Sequence, residues 1–366
     1  MLPDSALAEL EKQQYRVVGT HKHSAVKVCG WTKNMIRGKG GCYKLKFYGI
    51  KSNQCLQMTT AFSCASRCVF CWRGYKSPVA KEWMWEIDAP EPIITEALAA
   101  HYDLLQGFGG SSSMNRALYD QSKSVKHVAL SLTGEPIIYP RINEMIALFH
   151  AQGISTFMVT NGQYPEQIRD LAPVTQLYLS VDAPNQEMLK EIDKPAFPDF
   201  WERSQQSLQY LREKKGRTTI RLTMVKGVNM VLPEQYAELI KKGDPDFVEV
   251  KGYMFVGASR QKLKLENMPY HEDVHAFTLA LAEHLPEYLI ASEHTPSRVV
   301  LLAKKDYFIS GNPETWIDFD AFFALWQGKK GKEIVAKEYS VRWTKHSTTD
   351  MHLKEMDESI DETKLE

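Results

Sequence analysis

Three cysteines in Cys64-Ala-Ser-Arg-Cys68-Val-Phe-Cys71-Trp72 lie close enough along the chain to bind one metal cluster from a single tight loop. Their C-x3-C-x2-C spacing offers thiolates to three irons of a 4Fe–4S cluster and leaves the fourth iron without a protein ligand. The amino and carboxylate groups of a small molecule can chelate an iron left open in this way. The rival is a structural zinc loop, but zinc asks for a fourth ligand, and symmetrical C-x2-C pairs are absent. A second set, Cys29, Cys42 and Cys55, is spaced C-x12-C-x12-C and ends nine residues before Cys64, so the two sets must be neighbours. Three readings stand for it. The one taken is a second cluster with its own open iron; the others are zinc completed by His21 or His23, and three unrelated buried cysteines.

The residues between and after the cysteines must position these loops. Strand-like apolar, β-branched runs lie at 57–62, 126–132, 155–160, 176–181, 218–225 and 247–253, and further candidates at 288–292 and 298–303. Helical patterns lie between the first six, at 92–106, 142–152, 165–171, 185–192, 200–214 and 233–241. Six βα units in series predict an α/β fold with a parallel sheet and right-handed crossovers. Periodicity does not decide between an open sheet and a curved partial barrel. Cys64 follows the first strand, Gly134-Glu135-Pro136 the second, Asn161 ends the third, and Ser180 and Asp182 close the fourth. In parallel α/β folds this edge binds ligands. Gly134 permits close backbone approach, and Glu135 can accept from an ammonium. Asn161, Ser180 and Asp182 read from their positions as helix caps or turn residues.

A chain of 366 residues buries roughly 75% of its unfolded surface and needs no disulfide or metal merely to hold a core. No apolar run reaches the roughly 20 residues of a membrane helix, and the N-terminus lacks a signal-like apolar segment, so no membrane association and a cytoplasmic location are expected. The net charge is zero but unevenly spread. From Lys12 to Lys81 there is no Asp or Glu, against 14 Lys and Arg, whereas Asp350 to Glu366 carries seven acids and two lysines. An acid-free stretch of that length suits an anion such as a phosphate backbone or a carboxylate substrate. A second candidate RNA surface is the stretch 329–346, with Lys329, Lys330, Lys332, Lys337, Arg342 and Lys345 interleaved with Tyr339 and Trp343. Trp72, Trp83 and Trp85 read either as base-stacking residues or as core.

The cysteine loop together with Thr133-Gly134-Glu135-Pro136 resembles the radical S-adenosylmethionine (SAM) superfamily. Within it, the paired triads and the stretches 68–93, 127–143, 157–184 and 245–255 resemble the 4-demethylwyosine synthases, over about residues 25 to 345. The resemblance implies a partial (β/α)6 barrel with an N-terminal cluster-binding extension (1–55), a core (56–305), a basic C-terminal extension (306–349) and an acidic tail (350–366). It implies that Cys64, Cys68 and Cys71 hold the SAM-binding cluster, with Gly134 and Glu135 at the methionine amino group and Asn161, Ser180 and Asp182 along the SAM ribose or carboxylate. It further implies a reaction in which a 5′-deoxyadenosyl radical takes hydrogen from the methyl group of 1-methylguanosine in phenylalanine tRNA. The carbon radical then adds to pyruvate, held by the second cluster and by a Schiff base to Lys44. Eukaryotic members carry a flavodoxin-like electron-supplying domain; this chain resembles the shorter archaeal form, so a separate electron donor is expected. Two rivals remain: a two-cluster radical SAM enzyme acting on another substrate such as a peptide, and a zinc-dependent RNA-binding protein.

Overall fold

The computed structural model describes residues 2–73, 78–110, 113–329 and 334–342. Lys330, Lys332, Trp343, Lys345 and the acidic tail lie outside the described residues. A ten-stranded sheet organises the chain. The strands are β1 (Arg16–Val18), β2 (Ser24–Val26), β3 (Cys55–Thr59), β4 (His127–Leu130), β5 (Ser155–Thr160), β6 (Gln176–Ser180), β7 (Thr218–Met224), β8 (Phe247–Gly252), β9 (Tyr288–His294) and β10 (Val299–Lys304). Strands β3 to β8 run parallel in sequence order, the six-unit core expected from the alternation. The β1–β2 hairpin extends one edge antiparallel, and β10 then β9 extend the other. β3 begins two residues earlier than expected, and the chain turns out of it where Thr59 Oγ1 donates to Thr133 O (2.6 Å) and Ala61 O (2.9 Å).

The core strands are buried on both faces, as parallel sheets are. Met158, Leu177, Ile220, Leu222, Val248 and Val250 pack in the larger core, which also takes in the helices Pro90–Gln106, Ile142–Ala151, Phe200–Glu213 and Pro233–Gly243. Their alternates Phe157, Tyr178 and Phe247 pack in a separate cluster with Tyr43, Phe47 and Tyr48. Those three come from the short helix Tyr43–Tyr48, so the N-terminal extension supplies part of the barrel's filling. The C-terminal extension holds that helix in turn: Thr315 Oγ1 donates to Phe47 O (2.7 Å) and Trp316 Nε1 to Lys46 O (2.9 Å). The Trp316 ring lies where a Cβ on Gly49 would stand, 2.8 Å away, and Gly49 takes φ +77° to end the helix.

In the described part of 329–342, Tyr339 serves the fold and both lysines are ion-paired, while Arg342 is exposed with its Nη2 donating to Asn312 Oδ1 (2.8 Å). Tyr339 is fully buried; its hydroxyl accepts from Arg217 N and donates to Thr175 O, so it cannot stack on a base. Lys329 pairs with Glu338 (2.7 Å) and Lys337 with Asp306 (3.4 Å). Among the described residues, no helix is long and apolar enough to cross a membrane.

Two predictions follow from this packing. Arg217 is buried with no direct carboxylate partner among the described residues, and its guanidinium donates to Gln176 Oε1 (3.1 Å), Thr315 O (2.6 Å) and Ser340 Oγ. Arg217→Leu strands those acceptors and should cost about 3 kcal/mol or more by urea denaturation; a loss under about 1 kcal/mol would contradict the network. His150 is buried against Phe322 and Trp326, and burial drives its pKa down to about 3. Below about pH 6.5 the unfolded chain takes up a proton at this site that the folded one refuses, so stability present above that pH is lost as pH falls. Buried carboxyls such as Glu135 act in the opposite sense, so the readout is a difference. Between pH 7.5 and 5, wild type should lose about 2 kcal/mol relative to His150→Gln; parallel pH profiles would refute it.

Candidate active site

The loop 64–72 contains no helix, and its backbone is fixed by neighbouring segments. Cys64 N donates to Pro78 O (3.2 Å), and Arg67 N and Val69 N donate to Asp193 O (2.7 Å) and Ile192 O (2.8 Å), the end of helix Gln186–Asp193. Ala196 N donates to Ala65 O (2.7 Å), and Ala258 N to Trp72 O (3.1 Å). Cys64 and Cys68 are half-buried and Cys71 is exposed. Burial pushes the Cys64 thiol up to about 12 and raises Cys68, the latter with help from Asp193. Thiols so placed stay protonated until a metal supplies positive charge.

Gly134 has φ +62°, and a Cβ there would lie 1.9 Å from Ala61 O, so only glycine fits between β4 and the cysteine loop. Next to it, Glu135 N donates to Ser63 O (2.8 Å). Glu135 Oε2 accepts from Asn161 N (3.0 Å), the Thr160 hydroxyl also bears on this carboxyl, and Oε1 is buried with no hydrogen-bond partner among the described residues. Burial raises Glu135 to about 7, against the hydrogen bond from Asn161. The Asn161 side chain donates from Nδ2 to Cys64 Sγ (3.3 Å), which ties the end of β5 to the cysteine loop. Asn161, Ser180, Asp182 and Asp193 line one cleft at the ends of β5 and β6. Asp182 accepts from Thr223 N (3.2 Å) and is raised to about 6 by burial. Asp193 is raised by burial and by Asp182, against a hydrogen bond from Cys68, and its Oδ1 has no partner among the described residues.

The sequence-derived set Cys64, Cys68, Cys71, Gly134, Glu135, Asn161, Ser180 and Asp182 is thus gathered at the C-terminal edge of the parallel strands. These residues fit a 4Fe–4S cluster and an amino-acid-bearing ligand. Three thiols lie on one loop, and two buried carboxylate oxygens lack the donors that an ammonium or hydroxyl would bring. Among the described residues, no three His, Cys, Asp or Glu side chains converge as the ligands of a single ion do. A cubane does not ask for that, since each thiolate takes a different iron.

In the second set, Cys29, Cys42 and Cys55 lie close enough to act on one another electrostatically. Cys29 and Cys42 precede the helices Gly30–Ile36 and Tyr43–Tyr48, and Cys55 opens β3. All three are half-buried, and burial and then the Cys42 thiol push Cys55 up to about 12. Lys44 lies 4.3 Å from the centroid of the Tyr178 ring, inside the barrel. Burial lowers its pKa; Glu249 opposes this and Arg221 adds to it. Sequence reasoning missed the group around it. Glu249 is fully buried and accepts from Tyr43 Oη and Tyr48 Oη, each at 2.9 Å. Lys251 donates to Ser297 O (2.9 Å), and burial lowers its pKa to about 8. Charged residues at alternate positions of strands otherwise rich in Val and Ile were the signal. Asp193, capping nothing obvious in the sequence, gave none. Of the three tryptophans, Trp83 and Trp85 pack together with His23 and Tyr139, whereas Trp72 is 38% exposed.

Comparison with known proteins agrees with this geometry. The sequence matches the radical SAM superfamily over residues 58–240 and a family described as wyosine base formation over 242–304. It is 47% identical over 328 residues to the SAM-dependent tRNA 4-demethylwyosine synthase of Xenopus laevis, covering 89% of this chain and 44% of that protein. With the synthase of Saccharomyces cerevisiae it shares 43% identity over 339 residues, covering 90% and 41%. The chain therefore spans less than half the length of these two relatives. A solved structure of TYW1 with a lysine–pyruvate adduct bound superposes with a TM-score of 0.75 at 34% identity, covering 85% of this chain and 99% of that one. Archaeal TYW1 superposes with a TM-score of 0.68 at 32% identity, covering 85% and 100%. With that coverage of whole solved chains, and cysteine loop, Gly134 and Glu135 in place at the strand ends, the chain belongs to the radical SAM superfamily and, within it, to the wyosine-base-forming family.

Proposed function

We propose that this chain performs the reaction for which its relatives are named, condensing 1-methylguanosine of phenylalanine tRNA with pyruvate to give 4-demethylwyosine in the cytoplasm. A separate donor would supply the electron. The observation that carries this proposal is that Arg73 lies within electrostatic reach of both Cys71 and Cys29, one cysteine from each triad. Cys64, Cys68 and Cys71 would hold one 4Fe–4S cluster, and Cys29, Cys42 and Cys55 a second. Gly134, Glu135, Asn161, Ser180 and Asp182 would line SAM. When bound, the SAM-side cluster supplies the one-electron chemistry that starts hydrogen removal from the methyl group.

The chain's own residues do the rest. Glu135 Oε1, buried without a donor, would accept from the methionine ammonium, and Gly134 keeps that position close to the cysteine loop. Lys44 would condense with the ketone of pyruvate, forming a C=N bond and releasing water. The lysine–pyruvate adduct in the related TYW1 structure supports a lysine in this role. Lys44 has the position for it, within the barrel and among the Cys42 and Cys55 thiols. Glu249, held by Tyr43 and Tyr48, supplies compensating negative charge.

Mass spectrometry of phenylalanine tRNA carrying 1-methylguanosine, incubated anaerobically with protein, SAM, pyruvate and a strong reductant, tests the whole proposal; unchanged tRNA refutes it. Alanine at Cys64, Cys68 or Cys71 should reduce SAM cleavage to background. Alanine at Cys29, Cys42 or Cys55 should leave some cleavage but stop base formation, and a silent result there would remove the second cluster. Borohydride with labelled pyruvate should label Lys44, and Lys44→Ala should abolish the label. Mapping it to Lys251 instead would reassign the lysine.

A further inference from the structure

The rim of the barrel carries a group of side chains that neither the cluster sites nor the core accounts for. Trp72 directly follows Cys71, yet its indole is 38% exposed. Its position is fixed from behind: Ala258 N donates to Trp72 O (3.1 Å), and a Cβ at Gly257 would stand 2.2 Å from that oxygen. The Arg73 guanidinium packs on the indole at 3.9 Å from the ring centroid. Lys27, 45 residues earlier, brings its ammonium to 5.8 Å from the same ring and 4.6 Å from that of Tyr15.

The acidic groups near Arg73 are Tyr15, Cys71 and Cys29 rather than a carboxylate. Among the described residues, no carboxylate pairs with Lys27 or Arg73, and Arg73 Nη1 is buried without a hydrogen-bond partner. Arg73 and Lys33 both lie close enough to Lys27 to repel it. A guanidinium has a fork of donors, and leaving one buried and unpaired is costly. Three like charges converge here from a stretch, 12–81, that contains no acid at all. Such a cluster is maintained against its own repulsion where an anion completes it.

We infer that Lys27, Trp72 and Arg73 form a clamp for one nucleotide of the RNA, with its base on the exposed indole and its phosphate on the two cations. This rests on the RNA substrate proposed above. An exposed aromatic beside unpaired cations is how proteins hold unpaired nucleotides, because every base has a face to stack and every nucleotide a phosphate. The position fits the chemistry. Arg73 senses both Cys71 and Cys29, so a nucleotide held here sets its neighbour at the gap between the two triads, where a target base must enter. An anticodon loop offers bases already largely unstacked, so that entry costs little.

The test is fluorescence anisotropy of a short anticodon stem–loop RNA with the iron-loaded protein, over a series of KCl concentrations. Lys27→Ala and Arg73→Ala should each weaken binding and lower the salt slope by about 0.7, the value for one single-strand phosphate contact. Trp72→Ala should weaken binding roughly tenfold with the slope unchanged, as loss of one stacked base does. Arg73→Lys should restore the slope. Lys241→Ala, on an outer helix, is the control and should match wild type. Iron content confirms that each variant is loaded, and Lys27 and Trp72 carry the test if Arg73→Ala loses iron. Wild-type protein that ignores the RNA would overturn the substrate proposal itself. Wild type that binds, with Lys27→Ala and Trp72→Ala binding equally well and with equal slope, would overturn the clamp alone. So would variants that bind RNA normally but accept electrons more slowly from an acidic donor protein, since the patch would then be that protein's dock.

Discussion

Backbone hydrogen bonds lent by distant segments give the loop of Cys64, Cys68 and Cys71 its shape. Arg67 and Val69 donate to Asp193 O and Ile192 O, the end of a helix far along the chain, and Trp72 O accepts from Ala258 N. Ala65, Val69 and Phe70 pack on the core, but a loop with no regular structure must still find partners for its peptide groups. The carbonyls at Ile192 and Asp193 and the amide at Ala258 lie at the edge where the parallel strands end. The same edge brings Asn161 to Cys64 Sγ and Glu135 to Ser63 O. The cysteine loop, the glycine–glutamate turn and the cleft are therefore one hydrogen-bonded unit, positioned by the register of β3 to β6.

Inside the barrel the governing balance is electrostatic. Glu249 is a fully buried carboxylate whose two oxygens are both taken by tyrosine hydroxyls. Around it lie Arg221, Lys44 and Lys251, three cations to one anion. A buried carboxylate is tolerable only with donors and counter-charges around it, and here both come from residues on different elements. The excess of positive charge leaves an interior suited to a small anion. Burial alone would drive Lys44 toward its neutral form, and Glu249 moderates that push.

Much of the molecule was legible in the residues. The six parallel strands announced themselves as β-branched runs of suitable length, and the residues just past their ends formed the site, because strand ends and ligand edge coincide in this architecture. Less could be read in the N-terminal extension. β1 and β2 have three residues each, too few to show alternation, and the helices around Trp31 and Tyr43 have no repeated apolar period. Glu249, Arg221 and Lys251 escaped notice because a charge within a strand reads as a solvent-facing position; only curvature turns that face inward. Tyr339 misled in the opposite way. Flanked by lysines it looked available, but its ring fills the closed end of the barrel and its hydroxyl serves Arg217 and Thr175.

The brace on helix Tyr43–Tyr48 sets an order of assembly. The Lys46 carbonyl and the indole that satisfies it are separated by 270 residues. The helix has only six residues, too few to hold its shape alone, so Cys42 and Lys44 keep their places only once residues 315 and 316 have closed on it. A chain cut short before Thr315 would leave the helix that carries Lys44 without its anchor.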